Sequence, residues 1–179
     1  MRVLIDACVL YPTVMREVVL GAAGLGLFEP RWSQRIVEEW ARATRKLGPE
    51  AEVFARGEIA LLGAAFPRAI VPVHQGQMPR LWLPDADDIH VLAAAVSGSC
   101  DAILTMNAKD FPSGILAEEG LARFDPDGFC CRMLAQDPSG MRGVADGVLA
   151  TARQMSDVDW TMRGLMKKAR LPRFGKALV

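Results

Sequence analysis

The sequence predicts an α/β fold built on a parallel sheet. Two short apolar runs, "VLI" at 3–5 and "AILTM" at 102–106, fit buried strands. Between and behind them lie stretches whose apolar residues recur at helical spacing. Strands that alternate with helices in this order pair in parallel, joined by right-handed crossovers.

The elements follow in chain order. The first strand ends at Asp6. A helix is expected over Val14–Leu25, where Val14, Met15, Val18, Val19 and Ala22 form a stripe that Gly24 and Gly26 close. "LFEPRW" reads as an extended link, interrupted by Pro30. Ser33 is a natural N-cap for a helix carrying Ile36, Val37, Trp40, Ala41 and Thr44, which Gly48-Pro49 stops. A further helix over Glu50–Ala65 is expected to turn Phe54, Ile59, Leu61 and Leu62 inward. "AIVPV" at 69–73 reads as a short edge strand, since Pro72 has no N–H for a ladder. A loop spans 74–84. Ile89, Leu92, Ala93 and Val96 then form an i, i+3, i+4, i+7 stripe that ends near Gly98. "LARF" at 121–124 adds a strand. Helices follow over Asp127–Ala135 and Met141–Met155, and a last one starts at Ser156, where Ser156 and Asp159 have capping-box spacing.

The length of 179 residues suits a main domain over 1–125 and a helical extension over 126–179 packed on it. Half the residues are apolar, which excludes a disordered chain. No apolar run reaches the roughly 18–20 residues of a membrane span. The apolar stretch in "MRVLID" is too short for a signal peptide. Cys8, Cys100, Cys130 and Cys131 make no C-x-x-C pair, and with only His74 and His90 beside them a structural zinc site is not expected. A cytoplasmic protein with reduced thiols is expected. Formal net charge is zero, but its distribution is uneven. Acids outnumber bases from Asp85 to Asp159. Beyond Asp159 stand Arg163, Lys167, Lys168, Arg170, Arg173 and Lys176, with no acid among them.

The acids fall at corresponding places. Asp6 follows the first strand; Asn107 and Asp110 follow the "AILTM" strand. Asp85, Asp87 and Asp88 open the helix that feeds that strand, and Glu38 and Glu39 lie on the helix behind Ser33. In an open parallel sheet, ligands sit beyond the carboxyl ends of the strands. Two carboxylates about 4 Å apart repel by roughly 4 kcal/mol at an effective dielectric near 20, and a divalent cation removes that repulsion. An oxygen-only set suits magnesium or manganese. Each group alone also has a plain structural reading. Asp6 and Asp85 can cap helices, Asp87 and Asp88 can sit in a helix dipole, and Asn107 and Asp110 can form a turn. Glu38 and Glu39 flank the apolar stripe by similar angles, so periodicity does not choose between them. His90 reads as a helix-surface or partly buried residue.

"VLIDACVLYP", "WSQRIVEEWAR", "LPDADDIHVLAAAV" and "ILTMNAKDFP" resemble, in that order, the acidic motifs of PIN-domain proteins, most of all bacterial VapC-like members. The resemblance covers about Met1 to Phe124. It implies a three-layer α/β/α sandwich around the parallel sheet and a metal-dependent ribonuclease using Mg2+ or Mn2+. Carried across position by position, Asp6 matches the first-strand acid and Glu39 the helix acid, because the apolar Trp40 follows it. Asp88 matches the acid ahead of the alanine-rich helix, and Asp110 the acid before Phe111. Asn107 stands where many members have a fourth acid, a departure that weakens a second metal position. Asp6, Glu39, Asp88, Asn107 and Asp110 are thus the expected metal shell, with Asp6, Glu39, Asp88 and Asp110 catalytic. Asn107, Arg31, Arg35 and the basic tail are candidate contacts to RNA phosphates. The resemblance also implies a VapB-like antitoxin partner and allows a homodimer. A metal-dependent phosphatase and a non-catalytic PIN-like RNA-binding module are the alternatives. No phosphate loop, dinucleotide fingerprint or G-x-S-x-G elbow is present.

Overall fold

A computed structural model describes residues 1–179, apart from the side chains of Gln75 and Gln77. Four strands form one parallel sheet: β1 (Arg2–Ile5), β2 (Glu29–Arg31), β3 (Ala102–Leu104) and β4 (Ala122–Phe124), in the order β2-β1-β3-β4. Val3, Leu4, Ile5 and all of β3 are fully buried, as strands covered on both faces by helices must be. The helices in chain order are α1 (Ala7–Leu10), α2 (Thr13–Gly24), α3 (Gln34–Ala43), α4 (Pro49–Ala65), α5 (Ile89–Ser97), α6 (Ser113–Glu118), α7 (Pro126–Gln136), α8 (Pro138–Gln154), α9 (Met162–Lys168) and α10 (Pro172–Ala177). The parallel sheet flanked by helices is the expected α/β/α architecture, with further helices at the C-terminus.

The chain divides into two compact units. One comprises Met1–Tyr11 with Glu29–Phe124; the other, Pro12–Phe28 with Asp125–Val179. Helix α2 therefore groups with the C-terminal helices. In the first unit α5 packs on β1 and β3 and is buried from His90 to Ala95, so its alanines let the helix backbone approach the sheet closely. Ser33 caps α3 as expected, its hydroxyl accepting from the Ile36 N–H at 3.2 Å. In the second unit Phe28 and Phe129 pack edge to face with centroids 5.0 Å apart. Asp127 is buried and accepts from the backbone N–H groups of Arg173 and Phe174 and from Arg173 Nε, which fixes the start of α10.

Several local expectations differ from what the chain adopts. "LFEPRW" is not only a link: Glu29–Arg31 is a strand, β2, pairing with Arg2–Leu4. Pro30 is tolerated there because β2 is short and lies at the end of the sheet order. "AIVPV" forms no strand but a single bridge, Ile70 to Trp32. Helix α4 turns Phe54 and Leu61 outward, leaves Ile59 and Leu62 half-buried, and buries only Ala55. Ion pairs link it to its neighbours, Arg56 to Glu38 on α3 and Glu52 to Arg45, while Arg56 also pairs with Glu52 within the helix. The last helix does not begin at Ser156. The Ser156 hydroxyl accepts from the Trp160 indole N–H and donates to the Ala152 carbonyl, and the helix starts behind Thr161, which caps Gly164. Arg170, at φ +61°, then ends that helix before Pro172 opens the next.

Candidate metal and nuclease site

Parallel pairing sends β1 and β3 in the same direction, so the residues after Ile5 and after Leu104 emerge at one edge. Asp6 continues the ladder through its N–H to the Leu104 carbonyl, 3.1 Å. Its side chain is nearly buried and tightly held. Oδ2 accepts from the Thr105 hydroxyl at 2.7 Å and from the Cys8 thiol at 3.0 Å. Thr105 in turn accepts from the Asn107 N–H at 3.0 Å, which shapes the turn after β3. Burial, followed by the Asp6 charge, pushes the Cys8 thiol up to about 12. Cys8 is therefore a hydrogen-bond donor to Asp6 rather than a thiolate ligand.

The carboxylates of Asp85, Asp88 and Asp110 each place an oxygen within 4.8 Å of the others. Asp85 also does what a cap does: its Oδ1 accepts from the Asp87 N–H at 2.9 Å. Asp88, at the start of α5, makes no side-chain capping bond. Burial pushes the Asp88 carboxyl up to about 6, and the negative charges of Asp6, Asp85 and Asp110 add to the shift. Asn107 bridges two of these acids through its amide nitrogen, which donates to Asp88 Oδ2 at 3.4 Å and to Asp110 Oδ2. A fourth carboxylate could not make that contact. The expectation used the Asn107 oxygen as a ligand; here the nitrogen faces the acids.

Glu38 and Glu39, indistinguishable by periodicity, have different surroundings. Glu38 is taken by Arg56 and Arg42, and the hydrogen bonds from these guanidinium groups hold its carboxyl down at about 2. Glu39 is half-buried. Its Oε1 accepts from His90 Nε2 at 2.9 Å and from Arg35 Nε at 3.1 Å. Burial alone would raise the Glu39 carboxyl, but the bonds from His90 and then Arg35 bring it below its ordinary value. Arg35 also donates to the Asp87 carbonyl at 3.4 Å, so it stands between α3 and the turn that carries the acids. Arg31 is directed elsewhere, to Glu29 and the Pro30 carbonyl, with its side chain mostly buried.

An oxygen-only set of three carboxylates, with a fourth close enough to perturb Asp88, fits a hard divalent cation. The Asp88 carboxyl is raised first by burial and then by the neighbouring charges of Asp6, Asp85 and Asp110, a repulsion that a bound cation would relieve. Asp85, also readable as a cap, is not among the ligands expected from the sequence, and neither Thr105, Cys8 nor His90 is expected beside these acids. The signals were faint. Thr105 is the one polar residue inside "AILTM", and His90 is the lone histidine on a helix otherwise apolar to Val96.

The PIN domain family matches the chain over residues 2–109. The protein belongs to that family. No curated protein and no solved structure matches it. PIN domains are typically metal-dependent nucleases, so membership implies a nucleic-acid substrate and a divalent cation. The match stops one residue short of Asp110, whose place in this PIN domain rests on the geometry above. No helix among the described residues is long and apolar enough to cross a membrane.

Two predictions follow from these surroundings. An unfolded aspartate titrates near 3.9; Asp88 titrates at about 6 in the fold. Between about pH 4 and pH 6 the folded chain keeps a proton that the unfolded chain has released. Metal-free stability carried by this group therefore falls as pH rises through that window. Discounted for partial exposure, the loss is about 1 kcal/mol. Other carboxyls slope the opposite way, so the readout is the difference between wild type and Asp88→Asn in EDTA across pH 4–6.5. Parallel curves would refute the shift. The second prediction separates the glutamates. Glu38→Gln should leave nuclease activity within about threefold of wild type and change stability only slightly, as loss of an exposed ion pair does. Glu39→Gln should lose most activity. Cleavage rates and melts of both variants check it, and the reverse pattern would reassign the site to Glu38.

Proposed function

We propose that the protein is a Mg2+- or Mn2+-dependent ribonuclease, and the toxin of a two-component toxin–antitoxin pair acting in the cytoplasm. The observation that carries the reading is the convergence of Asp85, Asp88 and Asp110, with Asp88 pushed up to about 6. Asp6, Glu39, Asp88, Asn107 and Asp110 form the working shell, joined by Asp85. A bound cation would supply an activated water and neutralise charge on the scissile phosphate. The protein's own residues do the rest. Thr105 and Cys8 hold Asp6 in one orientation, and Asn107 spaces Asp88 from Asp110. Arg35, exposed beside Glu39, offers a phosphate contact; Arg163, Lys167, Arg170 and Lys176, exposed in the second unit, offer others. In-line attack leaves a 5′-phosphate and a 3′-hydroxyl.

The test is incubation of a single-stranded RNA with the protein in Mn2+, in Mg2+ and in EDTA, followed by analysis of the ends. Cleavage that needs the cation and leaves a 5′-phosphate supports the reading. Turnover of small phosphomonoesters without RNA cleavage would replace it with a phosphatase. RNA binding that survives Asp6→Asn and Asp88→Asn, without cleavage by the wild type, would make the chain a binding module. A VapB-like antitoxin would reach the carboxylates with an arginine or lysine in place of the cation. Expression of the chain alone should then slow growth, and co-expression with the neighbouring reading frame should relieve it. No growth defect, or no relief, counts against the toxin role. A homodimer is part of the same proposal, checked by the mass of the protein in solution.

A further inference from the structure

His90 is 3 % exposed, on the sheet-facing helix α5, two residues after Asp88. Its Nε2 lies 2.9 Å from Glu39 Oε1 on α3. Its Nδ1 is buried with no hydrogen-bond partner, the one buried side-chain nitrogen or oxygen so placed among the described residues. A buried polar atom left unpaired costs about 1–3 kcal/mol, so a leucine or phenylalanine would serve the core better. What an apolar residue could not supply is the bond to Glu39.

The chemistry of that bond fixes its direction. A carboxylate only accepts, so Nε2 carries a proton and donates it. Arg35 Nε, at 3.1 Å, donates to the same oxygen. Both donors fall on Oε1, and Oε2 has no partner among the described residues. The two donors differ in one respect. Arg35 is exposed, and water can take its place; His90 is buried, and nothing can. A carboxylate with one oxygen held by a buried donor and the other left open is the arrangement by which an outer partner aims a metal ligand.

We propose that His90 is a positioning residue for Glu39: its buried Nε2–H pins Oε1 and so leaves Oε2 as the oxygen that serves the cation. The proposal rests on the metal-dependent nuclease reading, and it concerns how Glu39 is held, not whether the other acids bind.

The test compares wild type, His90→Leu and His90→Gln on the full chain. Glutamine keeps an N–H donor near the position of Nε2; leucine removes it. Three quantities are read: the affinity for Mn2+ by calorimetry, the kcat and KM for RNA at several Mn2+ concentrations, and the imidazole tautomer by 15N NMR. Loss of an outer partner typically weakens metal affinity about 10–100-fold. His90→Leu should show that weakening, with kcat recovering as Mn2+ is raised and KM for RNA unchanged. His90→Gln should stay within about threefold of wild type, well inside that range. The wild-type tautomer should carry its proton on Nε2. If the leucine variant does not fold, the glutamine variant and the tautomer still decide. Leucine binding Mn2+ as the wild type does, glutamine failing as leucine does, or an Nε2 that carries no proton would overturn the role of His90 alone. A wild type that neither binds Mn2+ nor cleaves RNA overturns the nuclease reading, and the role of His90 falls with it.

Discussion

Asp88→Asn should stabilise the metal-free protein and abolish its function. The carboxyl it removes is half-buried, beside Asp6, Asp85 and Asp110, and pushed up to about 6. At neutral pH it is held as an anion among anions. The amide keeps the shape and removes the charge, and its NH2 can donate to a neighbouring carboxylate. The gain is about 1 kcal/mol after solvent screening, which for a chain of this length is a rise of roughly 2–4 °C in melting temperature. The opposite holds once cation is present. A ligand that binds only the folded state at a hundred times its Kd stabilises by about 2.7 kcal/mol. Wild type should gain this in Mn2+ and the variant should lose most of it. RNA cleavage should fall by on the order of 100-fold or more, since a direct ligand matters more than the outer partners whose loss costs about 10–100-fold. Melting curves in EDTA and in Mn2+, with cleavage rates, check all three. If Asp88→Asn instead lowers metal-free stability by about 1 kcal/mol, as loss of a helix cap does, the metal reading fails. The capping bond in "DADDIH" belongs to Asp85, and Asp88 makes none.

Phe111→Ala should be strongly damaging although it removes no site atom. Phe111 is fully buried directly behind Asp110, and its carbonyl accepts from Arg123 Nη1 at 2.7 Å. The same guanidinium nitrogen reaches the Ala108 carbonyl at 2.9 Å, so one arginine and one ring clamp the turn that carries Asn107 and Asp110. Truncating a buried phenylalanine costs about 3–5 kcal/mol. Against a total stability of about 5–15 kcal/mol this is a large fraction, and a fall of roughly 6–20 °C in melting temperature. The functional consequence is separate. A loosened turn lets Asp110 leave Asp85 and Asp88, so the stabilisation by Mn2+ should shrink although every carboxylate is present. A lower melting temperature with an undiminished Mn2+ response would show that the turn is held without Phe111.

The parts of the fold that could be read from the sequence are those where one local rule decides. "VLI" and "AIL" are strands because a run of three apolar residues buried on both faces has few alternatives, and Ser33 is a cap because its hydroxyl competes for the first N–H groups of α3. Where partners distant in the chain decide, the sequence misled. Glu29–Arg31 contains a proline that argues against a strand, yet an edge beside β1 accepts it. Phe54 and Leu61 look like core and are exposed, on an α4 that buries only Ala55 and pairs Arg56 with Glu38 and Glu52 with Arg45. The site shows the same division. Asp88 and Asp110 come together with Asp85 because the end of β3 and the start of α5 meet at one edge of a parallel sheet. Glu38 and Glu39 were not separable by helix geometry; Arg56 on one side and His90 on the other separate them, and neither lies within the helix that carries the pair.

The most direct test of the central claim is the position of a cation in crystals grown or soaked with Mn2+, read from its anomalous scattering. A peak is expected within coordination distance of carboxylate oxygens of Asp88 and Asp110, with Asp6, Asp85 or Glu39 completing the shell directly or through water. Crystals that show no such peak at millimolar Mn2+, or a peak held by other residues, would contradict it.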